Sequence, residues 1–60
     1  MNQLTDSKIN SLVLRLRCSR MLSVRRIDEI WEMILEFNPL AAYCDIIVAE
    51  YDDVRSRCRN

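Results

Sequence analysis

No glycine occurs anywhere in this 60-residue chain, and Pro39 is its only proline. Tight turns and β-hairpins draw on glycine for backbone angles that other residues adopt only at a cost, so most hairpin chemistry is closed to it. Half of the residues are apolar, enough for a core and too many for a disordered chain. The expectation is an all-α fold: a small helical bundle in one domain spanning residues 1–60. A chain of this length buries only about 60% of its unfolded surface, so self-association is a natural source of further stability.

Apolar spacing sets out the helices. Leu4-Thr5 and Leu22-Ser23 each place a hydroxyl cap after an apolar residue, with a second apolar residue, Ile9 or Ile27, four positions beyond the cap. That is the layout of a hydrophobic staple at a helix start. Arg25 and Arg26 oppose the dipole of the second helix. At the third start, Asn38 suits a cap and Pro39 suits the first helical position, where its missing N–H is no loss. The spacing predicts helices over 5–19, 23–37 and 39–57, with a helical hairpin turned at Asn38-Pro39.

Three stripes follow: Ile9, Leu12, Val13 and Leu16; Ile27, Ile30, Trp31, Ile34 and Phe37; and Leu40, Cys44, Ile47, Tyr51, Val54 and Cys58. The last recurs at heptad spacing. The first two share one heptad phase, interrupted only by Arg20 and Ser23, so a single helix over 5–37 is the competing arrangement, about 48 Å long. A bend near residues 20–23 is favoured because the staple repeats there and a folded-back chain buries more. The central packing surface is expected to hold Ile27, Ile30, Trp31, Ile34, Tyr43, Cys44, Ile47 and Tyr51, with Trp31 and Tyr43 as natural anchors of a homodimer or of a partner groove.

Charge is sorted along the chain. Every ionised side chain from Lys8 to Arg26 is basic and every one from Asp28 to Asp53 is acidic, after which Arg55, Arg57 and Arg59 follow; the net charge is zero. Folding through Asn38-Pro39 brings Arg25 and Arg26 toward Glu50, Asp52 and Asp53, and gathers Arg17, Arg20, Arg55 and Arg57 at one end. Such a basic end suits an antiparallel dimer or an anionic ligand. Arg17, Arg20, Arg25, Arg26, Arg55 and Arg57 are the candidate anion or nucleic-acid contacts. A helix-turn-helix outline, with Arg25 and Arg26 in the first turn of its second helix, supports that alternative. Asp28, Glu29, Glu32 and Glu36 on the same helix would repel phosphate.

Catalytic chemistry has little to work with. There is no histidine, so the usual general base, triad and commonest metal ligand are all missing. Cys18, Cys44 and Cys58 lack paired spacing, which reads as reduced thiols rather than a zinc site or disulfides. The carboxylates Asp28, Glu29, Glu32 and Glu36 read as a solvated helix face. No enzyme activity, metal or cofactor is expected. No apolar run approaches membrane-span length and no signal-peptide layout is seen, so the chain is expected to be cytoplasmic with no membrane partner.

The opening Met1-Asn2-Gln3-Leu4-Thr5-Asp6-Ser7-Lys8-Ile9, the length and the glycine-free helical body together resemble the very small early proteins of lambdoid temperate phages. The likeness is to those encoded between the recombination exonuclease and excisionase genes. It implies a non-enzymatic modulator of host physiology or of lysis-lysogeny development, in the host cytoplasm, and it assigns no functional residue. The expectation is thus a small regulatory protein acting through protein–protein contacts, itself and a host protein being the candidate partners. The alternatives are a nucleic-acid-binding regulator with a basic end and a purely structural self-associating subunit.

Overall fold

A computed structural model describes residues 4–58, which fold as an up-down-up bundle of three α-helices: α1 (Asp6–Cys18), α2 (Val24–Phe37) and α3 (Asp45–Arg57). A short 3-10 turn, Pro39–Tyr43, joins α2 to α3. Among the described residues no strand occurs. Met1, Asn2, Gln3, Arg59 and Asn60 lie outside the described residues.

Both hydroxyl starts cap their helices. Thr5 Oγ1 accepts from the Lys8 amide at 3.1 Å and Ser23 Oγ from the Arg26 amide at 3.2 Å, each cap residue holding extended backbone. One of the orphan amides at each helix start is thereby satisfied. The continuous helix over 5–37 does not form. After Cys18 the chain makes successive three-residue turns, Ser19 N–H to Leu16, Arg20 N–H to Arg17 and Leu22 N–H to Ser19, before Ser23 straightens. Ser19 is buried and its hydroxyl donates back to the Arg15 carbonyl at 2.8 Å. No described residue has positive φ, so this glycine-free chain reverses direction without using left-handed backbone.

The third predicted helix, 39–57, begins later than its spacing suggests. Pro39 does open a helical turn, but Asn38 makes no side-chain cap bond, and the 3-10 turn ends at an extended Cys44. A tight turn followed by an extended residue uses up length and changes direction. Ala41 is thereby drawn fully into the core, and α3 starts afresh at Asp45, whose charge favours the amino end of a helix. A hairpin of uninterrupted helices closed at Asn38-Pro39 would set Ile27 beside Tyr51; with the 3-10 turn inserted the α2–α3 register shifts by about one turn and Trp31 lies on Tyr51 instead, with ring centroids 4.4 Å apart and planes 10° apart. Such stacking contributes about 0.5–1.5 kcal/mol beyond burial.

Besides Ala41, the largest fully buried side chains are Leu16 from α1, Ile27 from α2, and Ile47 and Val54 from α3. Leu12, Ile34 and Ala41 complete the core, with Ile9, Ile30, Trp31 and Tyr51 packed around it. Contact is most extensive between α1 and α3, which run in the same direction, and least extensive between α1 and α2. Phe37 and Leu40, placed on core stripes by spacing, are instead on the surface, because the helix ends at Phe37 and the 3-10 turn rotates Leu40 outward.

Truncating a fully buried side chain in so small a core removes about 2–5 kcal/mol, comparable to the whole stability expected of a domain this size. Leu16→Ala therefore abolishes most of the cooperative thermal transition seen by circular dichroism. Exposed Leu14→Ala shifts stability by no more than about 0.5 kcal/mol.

Candidate functional site

The eight residues expected on the central packing surface divide by depth. Ile27, Ile34 and Ile47 are buried, while Ile30, Trp31, Cys44 and Tyr51 are half-buried against them. Tyr43 is not part of the packed interior: it ends the 3-10 turn and is 84% exposed. Three near neighbours join it in solvent, namely Phe37 at 74%, Ile46 at 61% and the edge of Leu40. These four lie in one ten-residue stretch, the junction of α2 with α3, beside exposed Glu36 and Asp45. The helical stripe assigned Phe37 to the core, and only the break after Phe37 reveals this apolar end.

A second surface, part apolar and part polar, lies where packing is thinnest. Between α1 and α2 runs a groove of about 430 Å³ with Leu12 and Ile34 at its floor, Met33 and Phe37 on the α2 wall, Lys8, Ser11 and Arg15 on the α1 wall, and Asn38 at one end. Its presence follows from α3 binding α1 more closely than α2 does.

The basic candidates are mostly neutralised within the chain. Arg17 forks onto Glu50 at 3.2 and 3.5 Å, and Arg55 forks onto Asp28 at 2.8 and 3.2 Å. Arg57 pairs with Asp53 one turn away. Arg25 and Arg26 reach Glu29 on their own helix, at 3.8 and 3.0 Å, rather than Glu50, Asp52 or Asp53 across the bundle as the sequence suggests. The reason is the shifted register together with α1, which places Arg17 where Arg25 was expected. Arg20 alone of the six has no ion pair among the described residues; its carbonyl accepts from the Cys58 thiol at 3.5 Å, so the carboxyl end of α3 does reach the α1–α2 turn. A phosphate approaching Arg25 or Arg26 would have to displace Glu29, and would meet Glu32 and Glu36 further along the same helix.

Asp28 ties α2 to α3. It accepts from the Tyr51 hydroxyl at 2.6 Å as well as from Arg55. The Arg55 guanidinium first, and the Tyr51 hydroxyl second, hold the Asp28 carboxyl below its ordinary range; burial first, and the bond to Asp28 second, push the Tyr51 phenol up. Tyr51 thus stays protonated and Asp28 ionised, an arrangement that ties α2 to α3. Among the described residues no group of three histidine, cysteine or acidic side chains is placed to hold a metal, and Cys18, Cys44 and Cys58 are free thiols. No helix among the described residues is long and apolar enough to cross a membrane.

A carboxyl depressed in the folded state contributes stability that is complete above its unfolded value of about 4 and lost as pH falls through the folded value. A phenol raised in the folded state contributes stability that is complete below its unfolded value of about 10 and lost as pH rises through the folded value. Thermal midpoints measured against pH are therefore expected to fall on both flanks. Asp28→Asn reduces the acid-side dependence, and Tyr51→Phe reduces the alkaline-side dependence; unchanged profiles in both variants would contradict these assignments.

No protein-family model matches the chain, and neither a curated protein nor a solved structure shows significant similarity to it.

Proposed function

We propose that this chain is a small non-enzymatic regulatory protein that acts through protein–protein contacts, of the kind that phage early proteins use to modulate host physiology or the choice between lysis and lysogeny. The observation that carries this reading is the apolar end at the α2–α3 junction. Tyr43, Phe37 and Ile46 stand largely in solvent and, with Met21 in the α1–α2 turn, are the most exposed large apolar side chains among the described residues. Large aromatic side chains presented this way are the usual anchors of protein interfaces, and the neighbouring Glu36 and Asp45 supply a polar rim.

Two further observations support contact over chemistry. The chain lacks histidine, and Asp28, Tyr51 and Arg55 are engaged with one another in holding α2 against α3, as Arg17 is with Glu50 between α1 and α3. The internal pairing of Arg17, Arg25, Arg26, Arg55 and Arg57 weakens the nucleic-acid alternative, since each phosphate contact would first break an existing ion pair. The proposed setting is the host cytoplasm, with a host protein and the chain itself as partners.

Affinity capture from host lysate, comparing the native chain with Tyr43→Ser and Ile46→Ser, tests the reading. Both positions are exposed, so circular dichroism should be unchanged. The expected result is a specific protein retained by the native chain and held about tenfold or more weakly by each variant. Salt-sensitive retention of duplex DNA in place of any protein would contradict it.

A further inference from the structure

We infer that the groove between α1 and α2 seats a second copy of this chain, whose own α2 lies in it with Met33 and Phe37 against the apolar floor and Glu32 and Glu36 against Lys8 and Arg15. This rests on the reading that the chain works by protein–protein contact, and it names one partner and one face.

The charges left over inside the monomer carry the argument. Lys8 and Arg15 make no ion pair among the described residues, and both line the groove. Glu32 and Glu36 likewise make none, although they belong to the helix that forms the opposite wall. They do not line the groove, because on α2 they lie further round from α1 than Met33 and Phe37 do. The monomer thus holds a basic wall and an acidic flank that cannot meet each other. In a second copy they can.

Symmetry makes the match self-consistent. Within one chain α2 runs antiparallel to α1, so an α2 related to it by a two-fold axis across their contact runs parallel to α1. Along that direction Lys8 precedes Arg15 by two helical turns, and Glu32 precedes Glu36 by one. The order of charges agrees, and the long lysine and arginine stems span the difference. Because α2 is both a wall of one groove and the insert of the other, each ion pair occurs twice. The same contact covers Met33 and Phe37, which the monomer leaves 44% and 74% exposed.

A foreign amphipathic helix with acidic residues would satisfy the same chemistry, but only a second copy brings the acidic flank at matching concentration and with the matching two-fold geometry. Sedimentation equilibrium of the full chain and three variants separates the cases. The native chain is expected to sediment at twice its 7.1 kDa mass. Arg15→Glu and Glu36→Arg, both at exposed positions, should each weaken self-association on the order of tenfold or more, and the double variant should restore it. A native chain that stays monomeric at every concentration would overturn the inference and leave a foreign helix as occupant, with capture of a host protein still testing the wider reading. A dimer indifferent to both reversals, or one the double variant fails to restore, would overturn the groove while leaving dimerisation in place.

Discussion

Everything in this bundle depends on burying one set of aliphatic side chains, Leu16, Ile27, Ile47 and Val54, drawn from all three helices. A helix of about a dozen residues is at best marginally stable alone in water. Each therefore exists because the other two cover its apolar stripe, and the two reversals of the chain are arranged to permit that coverage. The α1–α2 turn is built from consecutive three-residue turns and the α2–α3 junction from a 3-10 turn and an extended Cys44, solutions that need no glycine. The second reversal turns Phe37, Leu40 and Tyr43 outward while it buries Ala41. Surface apolarity at that end is thus a consequence of how the core is closed.

Electrostatics then fixes the orientation of helices that the core has assembled. Asp28 joins Tyr51 and Arg55, Glu50 joins Arg17, and Tyr51 also stacks on Trp31. Exposed pairs of this sort contribute little to stability, but they oppose rotations of one helix against another that leave burial unchanged. The sorted charge of the sequence is mostly consumed here. Among the described residues the charges left without an ion pair are Lys8, Arg15 and Arg20 on α1 and in the turn after it, against Glu32 and Glu36 on α2, Asp45 and Asp52 on α3, and Asp6 at the start of α1.

Much of this architecture is legible in the amino-acid sequence. The staples around Thr5 and Ser23 locate two helix starts because capping is a local interaction, decided within four residues. The heptad stripes locate Leu12, Leu16, Ile27, Ile34, Ile47 and Val54 in the interior, since burial follows helical spacing wherever the helix is continuous. Expectation and structure part company at residues 38–44. There Leu40 and Cys44 keep heptad spacing while the backbone leaves the α-helix, so the stripe continues past a break it cannot register. The one-turn shift in register that results explains why Arg25 and Arg26 pair with Glu29, why Glu50 is left for Arg17, and why Tyr43 stands in solvent. The groove between α1 and α2 is invisible in the sequence for a related reason. It arises from unequal packing among three helices, and no single stripe encodes which pair is closer.

Because α1 folds back, Lys8 and Phe37 line one groove instead of standing at opposite ends of a straight helix. Electron–electron double resonance between spin labels at these two positions, with excess unlabelled chain to remove distances between copies, measures this directly. The expected separation is the short one of neighbouring packed helices, whose axes lie about 8–10 Å apart, broadened by the label arms. A separation of about 44 Å, the span of 29 residues of uninterrupted helix, would contradict the fold and every surface built upon it.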